Sequence, residues 1–537
     1  MTISYDFKRA VNSNGEFGQN LFLIGTSTKG PYMEPVLVTS PENAEKVFGV
    51  LDKGNLVKAF NQAYSEDRDI PIYLMRIGCT PSTLTLSNPY DDTSKILHFE
   101  VEDVTDDFEV TLEFRIANIT DDVYKKYAIL HTSKGYIYYE FNDHMNVNEL
   151  SRLINRDYRD GIHSIKCSAF DPNCMVSYLY EEYEQQVLSF IPGNDGTEID
   201  KNYTYLELEM AYEILQGRNI DVIVPIDAFI DDIHPVFLYA GDSYYGSAVY
   251  ESRSDYLSLL DTQNEDEPVT FHEQLIEFCR RQTLLGCMSL GVMGFRPMAR
   301  VPETIAYDNS YITRILDMTA FRRQTGFIDY INGKYFDKGF YLMPVASELI
   351  YRHGDTEYHD NGYVRYAAIS ASTYETTTNM MIGDDVELRY DLSNQTRSDL
   401  SRLGIVTFRK SVRKGLVVQS GVTAASEETD YHTLANVRMV QLSIMTLNNV
   451  IDHIRTQEYT DEILRRYIET SVGEALLQLK ENGVLSEYGL QINWLSDGSQ
   501  GEIIIAIKSK YMIESIQINS HLGESAEGMV LDGTSVY

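Results

Sequence analysis

The stretch LFLIGTSTKGPYMEPVLVTSPENAEKVFG, residues 21–49, decides the fold. Its first four residues are apolar and Gly25 follows them, which predicts a buried strand that ends in a turn. Ser40 and Pro41 then predict the start of a helix, because Ser caps helix N-termini and Pro is favoured in the first helical turn. A strand followed by a helix at this spacing predicts an α/β layer.

The α/β pattern continues after this stretch and returns later in the chain. Residues 57–64 have helical spacing, and residues 70–77 form a mostly apolar run typical of a strand. Residues 205–215 again have helical spacing, and an apolar strand is predicted at 220–224. We therefore expect an α/β domain that is built from two separate parts of the chain.

Between these parts the apolar residues change from helical to alternating spacing. Apolar and polar residues alternate over 108–116, and residues 136–141 are again strand-like. Alternation of this kind is typical of a strand with one buried face. The sequence therefore predicts an all-β or β-rich domain over residues 81–185, inserted into the α/β domain.

The last part of the chain has a third pattern. Apolar residues recur at steps of three and four from Val437 to Ile454, which predicts a long amphipathic helix. A second helix is predicted from about Thr460 to Gly483. Strands are then predicted at 489–494, 502–507 and 513–518.

Together these patterns predict an α/β (α+β) multidomain protein. The first and last residues are polar and rich in Gly, which predicts two arms that cannot form a core of their own. The predicted organisation is an N-terminal arm (1–20), an α/β domain in two parts (21–80 and 186–390), the inserted domain (81–185), an inner C-terminal domain (391–519) and a C-terminal arm (520–537).

The composition excludes several classes of protein. The 537 residues include 80 Asp and Glu against 45 Lys and Arg, a formal net charge of −35. This surplus of acid excludes the whole chain as a nucleic-acid binder, since neutralising phosphates requires a basic surplus. No run of ~18 apolar residues is present, and the N-terminus lacks the apolar core of a secretory signal. The five scattered cysteines contain no C-x-x-C pair, which predicts reduced thiols.

Three short motifs suggest ligand binding, and each has a structural alternative. Residues 25–30 resemble a phosphate loop, but Pro31 and Tyr32 stand where that loop requires Lys and Ser or Thr, so a structural turn is favoured. Residues 193–196 suggest a calcium loop, but the other EF-hand ligands are missing and a tight turn explains them better. His353, Asp355, Glu357 and His359 alternate and could hold a metal ion, although Gly354 favours an exposed loop.

Catalytic motifs are also incomplete. His272 and Glu273 open a zinc-protease pattern, but Ile276 stands where the second His is required. His272 is instead expected to decorate a helix whose core face includes Leu275 and Phe278. The G-x-S-x-G pattern of hydrolases is absent. We therefore predict no catalytic residue, no cofactor and no metal, and we expect that the chain is not an enzyme.

One segment is strongly basic, in contrast to the acidic chain as a whole. The sequence RKSVRK (409–414) contributes Arg409, Lys410, Arg413 and Lys414 between apolar strands predicted at 405–408 and 416–418. This arrangement predicts a hairpin with a basic loop. Two interpretations stay open, a solvated turn and a contact with a partner of opposite charge.

Four segments in order resemble the contractile tail sheath protein family of bacteriophages and related injection machines. The first is the opening stretch at 21–49, and the second is IPGNDGTEIDKNYTYLELEMAYEILQGRNIDVIVP (191–225). The third is LSNQTRSDLSRLGIVTFRKSVRKGLVVQSGVTA (392–424). The fourth is the long helix that contains Arg438, together with the end of the next helix at 482–485. The chain departs from the family pattern at about 345–385, and 81–185 matches no part of it.

The resemblance implies a structural role with many copies of the chain. Six subunits are expected to form a ring, and rings to stack helically around a rigid tube, linked by the N- and C-terminal arms. Expected partners are the tail tube protein and the baseplate and tail terminator proteins, with no direct nucleic-acid contact and no membrane insertion. The basic segment at 409–414 is then the candidate tube contact.

The resemblance also implies a location and an action. The protein is expected in the tail sheath of a virion, assembled in the host cytoplasm, where contraction drives the tube through the target cell envelope for genome ejection. A sheath of a non-viral injection system or a phage-tail-like bacteriocin is the first alternative. An acidic soluble α/β enzyme of unknown reaction is the second.

Overall fold

The structure of the protein is a computed structural model. It describes residues 19–49, 55–78, 81–88, 91–102, 110–120, 123–132, 135–184, 186–191, 201–230, 271–295, 297, 329–331, 334–336, 338–353, 356–374, 376–455, 461–482, 485–494 and 501–509. The chain forms two compact units, residues 1–453 and 454–537. Helices and several separate sheets are mixed within the first unit, which confirms the predicted α+β multidomain class.

A six-stranded sheet lies at the centre of the first unit. Its strand order is β15-β12-β11-β1-β3-β2, and all neighbours are parallel except β2 and β3. The inner strands are almost entirely buried, because helices cover a parallel sheet on both faces. The strands are β1 (Leu21–Thr26), β2 (Pro35–Val38), β3 (Ile72–Ile77), β11 (Val222–Pro225), β12 (Leu290–Gly294) and β15 (Leu342–Val345).

Five helices belong to this layer: α1 (Pro41–Phe48), α2 (Leu56–Glu66), α5 (Lys201–Leu215), α6 (Phe271–Leu284) and α7 (Tyr363–Ala371). The predicted start of α1 is confirmed. The Ser40 hydroxyl accepts a hydrogen bond from the Asn43 N–H at 3.1 Å, and Pro41 occupies the first turn. Apolar residues of all five helices share one core with the sheet.

The sheet is followed by smaller elements, several of which contribute residues to the same core. A three-stranded sheet has the order β17-β16-β18, and β19 pairs with β20. The ranges are β13 (Asp329–Ile331), β14 (Lys334–Phe336), β16 (Glu348–His353), β17 (Thr356–Asn361), β18 (Val386–Leu388), α8 (Asn394–Arg402), β19 (Phe408–Ser411), β20 (Gly415–Val418) and α9 (Leu434–Arg455). The long helix predicted from its apolar spacing is thus confirmed as α9.

The loop expected around His353 to His359 is instead a pair of strands among the described residues, which do not include residues 354–355, whereas Glu357 and His359 are exposed as expected. β16 and β17 pair there as an antiparallel hairpin, with Arg352 opposite Glu357 and Tyr351 opposite Tyr358. The Tyr351 and Tyr358 rings stack at 5.3 Å, and Tyr351 is buried. Packing of one face of the hairpin against the core therefore outweighs the polar composition of β17.

The inserted region has its own hydrophobic core. Its strands form two antiparallel sheets, β10-β6-β7-β8 and β4-β5-β9. The elements are β4 (Ser82–Asn88), β5 (Asp91–Val101), β6 (Thr111–Thr120), β7 (Val123–Thr132), β8 (Gly135–Phe141), α3 (Val147–Arg159), β9 (Ile165–Ala169), α4 (Val176–Tyr183) and β10 (Val187–Ser189). The predicted β-rich character is present, together with two helices that the sequence analysis did not include.

A clear sequence signal existed for one of these helices. Asn146 caps α3, since its side-chain oxygen accepts the Glu149 N–H at 2.9 Å, and Val147, Leu150 and Ile154 are buried on one face. The alternating apolar pattern of the neighbouring strands was the stronger signal, so the helical spacing of α3 was not recognised. The exact limits of the predicted domains stay a prediction.

The described part of the second unit contains one helix and a hairpin. Helix α10 (Asp461–Glu481) precedes β21 (Leu485–Trp494) and β22 (Gly501–Ser509), which pair in antiparallel register. Val472, Leu476 and Leu479 are buried on α10. The helix and the first two strands confirm their predictions, whereas the strand predicted at 513–518 lies outside the described residues.

Buried ion pairs connect distant parts of the first unit. Arg438 on α9 donates to both carboxylate oxygens of Asp221, at 2.7 and 2.9 Å, and both side chains are at most 1% exposed. Arg438 also donates to the carbonyls of Ser370 and Thr373. Because a buried charge is tolerated only when it is paired and hydrogen-bonded, this contact fixes α9 against the central sheet.

Candidate functional site

The basic segment forms the predicted hairpin. β19 and β20 are in antiparallel register, with Phe408 opposite Val418 and Ser411 opposite Gly415. Residues 412–414 form the turn, and Val412 at its tip is fully exposed. Gly415 has a φ of +76°, a conformation that a residue with a side chain rarely adopts. The turn therefore projects into solvent from a fixed pair of strands.

The base of the hairpin is anchored in the core of the first unit. Phe408 and Val418 are buried, and the Phe408 N–H donates to the Ser347 hydroxyl at 2.8 Å. The Val418 carbonyl accepts the Asn379 N–H at 2.9 Å. A rigid base with an exposed tip is a geometry suited to presenting side chains to a partner.

The four basic side chains of the hairpin have few partners. Arg409 is half-buried and donates to the Asn379 side-chain oxygen, and Lys414 Nζ lies 3.3 Å from the Asn379 carbonyl. Lys410 and Arg413 are exposed. Within the described part of the chain, none of the four forms an ion pair. The hairpin is therefore a positively charged projection on an acidic protein.

Contacts inside the turn at residues 25–30 favour a structural turn over a phosphate loop. The Thr26 N–H donates to the Asn55 side-chain oxygen at 2.7 Å, so this donor is not available to a phosphate. Gly30 has a φ of +96°, and a Cβ there would lie 2.8 Å from the Phe48 ring. Residues 25–30 are a structural turn packed on α1, as favoured from the sequence.

Neither the metal candidate nor the zinc-protease candidate forms a site among the described residues, which do not include Asp355. Among the described residues, no group of three or more His, Cys, Asp and Glu side chains has the geometry to hold a metal ion. His272 is buried rather than on a helix surface, with Nδ1 2.9 Å from the Ile230 carbonyl. The calcium-loop candidate at 193–196 lies outside the described residues.

The described cysteines are not in disulfides. They are Cys167, Cys174, Cys279 and Cys287. Burial raises the pKa of the Cys167 thiol to about 12 and raises that of Cys279 as well, so neither is a reactive thiolate at neutral pH. Separately, none of the described helices has the length and hydropathy needed to cross a membrane.

A cleft between α5 and α6 was not predicted from the sequence. It is lined by aromatic and acidic residues, including Tyr212 and Glu213. The only sequence signal was the spacing of Glu209 and Glu213, which places two carboxylates one helical turn apart. That pattern is common on solvated helices, so only the facing helix α6 reveals the cleft.

Comparison with known proteins supplies the fold relationship. No protein-family model matches the sequence, and no curated protein matches it. Among solved structures, the sheath tail protein Lin1278 from Listeria innocua aligns with a TM-score of 0.52 and 13% identity, covering 93% of both chains. The sheath tail protein DSY3957 from Desulfitobacterium hafniense aligns with a TM-score of 0.44 and 11% identity, covering 95% of this chain and 100% of that one.

A third similar structure is the anti-feeding prophage helical sheath in its contracted state. It aligns with a TM-score of 0.43 and 10% identity, covering 96% of this chain and 95% of that chain. The alignment with the Listeria innocua protein exceeds a TM-score of 0.5 and covers almost the whole of both chains. At 13% identity it shows the fold, and the resemblance expected from the sequence is thereby confirmed at that level. This chain has the fold of a tail sheath protein.

Proposed function

We propose that the chain is the structural subunit of a contractile tail sheath, which polymerises around a tail tube and shortens to drive the tube through a cell envelope. The observation that carries this proposal is the fold shared with a sheath tail protein over 93% of both chains. A shared fold alone is compatible with several functions, so the proposal requires its own test.

Self-assembly through the arms is the first part of the proposal. Among the described residues the hairpin β21–β22 is a two-stranded sheet, and in the proposed lattice an edge of it accepts a strand from a neighbouring copy. The arms at 1–20 and 520–537 supply such strands in the proposed lattice, in which six subunits form each ring. Backbone hydrogen bonds would keep the lattice connected while it changes length.

Contact with the tube through the basic hairpin is the second part. Arg409, Lys410, Arg413 and Lys414 lack carboxylate partners within the described part of the chain, and an acidic tube surface would supply them. Exposed ion pairs contribute only ~0–1 kcal/mol each, which suits a contact that must release during contraction. Baseplate and tail terminator proteins complete the proposed set of partners.

The proposed location is the tail of a virion, after assembly in the host cytoplasm, with genome ejection as the outcome. A non-viral injection system would use the same fold, and neighbouring genes for a capsid and a terminase would separate the two. We propose no catalytic activity. The proposed work comes from a metastable extended lattice that relaxes to a shorter one.

Negative-stain microscopy of the purified full chain tests the central proposal. We expect helical tubes, and we expect salt to favour them, because screening weakens repulsion between subunits of charge −35. A discrete small oligomer at every salt concentration, with turnover of a substrate, would instead support the enzyme alternative.

Charge reversal tests the tube contact. The variant K410E/R413E is expected to remain folded and to form empty contracted tubes, but not to sheathe tail tubes in the extended state. The matched control is R152E/R159E, which reverses two exposed arginines of α3 in the inserted region. If both variants sheathe tubes equally well, the hairpin is only a solvated turn.

Truncation tests the arm. Removal of residues 520–537 is expected to leave a folded chain that no longer polymerises at wild-type concentrations, because a strand donated to the neighbour is lost. Circular dichroism verifies the fold and microscopy scores the tubes. Normal tubes from the truncated chain would exclude the C-terminal arm as a link between subunits.

A further inference from the structure

The sheet β10-β6-β7-β8 of the inserted region carries aromatic side chains on its outer face. The inner face packs into the core of that region, where Leu112, Ala128 and Tyr139 are buried. Because successive residues of a strand point to opposite faces, the residues between these lie on the outer face. On β8, at one end of the sheet, they include Tyr136 and Tyr138, which are 62% and 59% exposed. Two large aromatic rings therefore lie next to each other in solvent.

Contacts within the outer face hold both rings in place. The Tyr136 ring packs edge to face against His131, with 4.4 Å between the ring centroids. The Tyr138 ring packs in the same way against Tyr127, with 5.9 Å between the centroids. Ile129, which lies opposite Tyr138 on β7, is only 5% exposed. A ring that is already held by its neighbours loses little conformational freedom when a ligand stacks on it.

The described charged side chains of the outer face are paired with one another. The Glu113 carboxylate lies 3.1 Å from Arg115 Nε and 3.4 Å from His131 Nε2. Lys125 Nζ lies 2.7 Å from Glu140 Oε2. With the histidine neutral, these pairs leave no net charge on the face, although the whole chain carries −35. A nucleic acid or another polyanion requires a surplus of positive charge, so an uncharged partner fits this face.

The size of the outer face favours a ligand smaller than a protein. Four strands at a spacing of ~4.8 Å, with the seven residues of β8 at ~3.4 Å each, span at most roughly 450 Å². A stable protein–protein interface requires about 800 Å² on each partner. This face alone is therefore too small to hold a second copy of the chain, whereas a few linked sugar rings would cover it.

We propose that the outer face binds a neutral polysaccharide chain. The C–H groups of sugar rings stack on Tyr136 and Tyr138, because the faces of aromatic rings are electron-rich. Sugar hydroxyls both donate and accept hydrogen bonds, and the face offers donors on Lys125 and Arg115 beside acceptors on Glu140. The two tyrosines are about 7 Å apart along the strand, so they contact successive sugars of a chain rather than one free sugar. This binding does not depend on the proposed sheath function.

Saturation-transfer NMR of the full chain at low salt tests the proposal. The probes are four neutral hexasaccharides: maltohexaose, laminarihexaose, mannohexaose and N-acetylchitohexaose. We expect wild type to bind at least one of them. Y136A/Y138A should bind it roughly tenfold more weakly, because both stacking rings are lost. Y136F/Y138F keeps the rings and removes only the hydroxyls, so its binding should weaken by less than about threefold.

The matched control is Tyr124→Ala. Tyr124 is 66% exposed and precedes Lys125 on β7, so it points to the opposite side of the sheet. Y124A should bind like wild type, and hydrogen exchange at amides of β7 verifies that each variant keeps the sheet. The proposal is overturned if wild type binds none of the four hexasaccharides, if Y136A/Y138A binds as well as wild type, or if Y124A loses as much binding as Y136A/Y138A.

Tube formation tests the other occupant of this face, a second copy of the chain. The proposal expects Y136A/Y138A to form tubes as wild type does. If that variant forms no tubes while wild type binds no hexasaccharide, the outer face is an interface between copies and the carbohydrate proposal is wrong. Absence of tubes from wild type contradicts the sheath proposal alone, since the NMR measurement does not require assembly.

Discussion

The central sheet and the inserted region bury their residues in different ways. The strands of the central sheet are covered on both faces, so β11 is buried at every position from Val222 to Pro225. The inserted region has antiparallel sheets, and β8 alternates between exposed residues such as Tyr138 and buried ones such as Phe141. The central sheet is therefore buried on both faces, whereas the sheet that contains β8 has one face exposed to solvent.

This difference decides what a polar contact does in each region. In the central region Arg438 and Asp221 are removed from water, so each depends on the other. In the inserted region Lys125 and Glu140 pair across β7 and β8 with side chains 38% and 52% exposed, so water replaces either partner. An ion pair is thus expected to contribute strongly to stability in the central region and very little in the inserted region.

The largest effect is expected from Arg438→Met. This change leaves the Asp221 carboxylate buried without its partner, which typically costs about 3–5 kcal/mol of stability. Urea unfolding monitored by hydrogen exchange at amides of the central sheet measures it. The double variant R438M/D221L is the control, because removing both charges should restore much of the stability. If R438M alone is neutral, the pair is not the fixing contact of α9.

An intermediate effect is expected from removing matched helix caps. Ser40→Ala in the central region and Asn146→Ala in the inserted region each delete an acceptor for a backbone N–H in the first turn. Each is expected to lower stability by ~1 kcal/mol, measured by local hydrogen exchange in α1 and α3. Because caps act within one helix, the two losses should be similar, and a large difference would contradict a local origin.

The sequence predicted the elements whose burial is uniform or strictly periodic. Apolar runs revealed β1 and β11, alternation revealed β6, a strand-like segment after a turn revealed β8, and steps of three and four revealed α9. The hairpin β16–β17 was not recognised, because the residues of β17 are polar and the strand depends on contacts with β16, such as the stacking of Tyr358 on Tyr351. Local pattern cannot report a contact made by the opposite strand.

In the candidate functional site, too, one feature was predictable from the sequence and another was not. The basic hairpin was predictable, since its charges lie in six consecutive residues between apolar strands. The cleft was not, because Tyr212 and Gln274 are 62 positions apart and meet only after α5 and α6 pack. A cleft between two helices is a property of the packed structure, and no spacing within one helix predicts it.

A smaller, pH-dependent effect is expected at the Arg365–Asp385 pair, in which Arg365 is buried and Asp385 is exposed. Burial alone would raise the pKa of Asp385, but the hydrogen bonds and charge of Arg365 outweigh it and hold that pKa below its usual value. A lowered folded-state pKa stabilises the fold above about pH 4, and this contribution is lost as the pH falls through the lower folded value. Since Asp385 is exposed to solvent, the contribution should stay below ~1 kcal/mol.

Comparison of wild type with D385N measures this contribution. The stability difference should be present at pH 6 and should shrink at pH 3, where the unfolded-state carboxyl is already mostly protonated and the folded-state carboxylate begins to protonate. D384N is the control, because Asp384 is the exposed neighbour with no described ion pair. A difference that grows on acidification would reverse the sign and exclude Arg365 as the stabilising partner.

The smallest effect is expected where the comparison began, at Lys125 and Glu140. Their atoms Nζ and Oε2 are 2.7 Å apart, and the hydrogen bond raises the pKa of Lys125. Geometry alone would rank this contact with Arg438 and Asp221, which are also separated by 2.7 Å. Solvent screens the first pair and is excluded from the second, so we expect the double-mutant cycle of K125A and E140A to give a coupling within experimental error, at low and at high salt. A coupling comparable to that between Arg438 and Asp221 would show that distance, rather than burial, sets the strength of ion pairs in this protein.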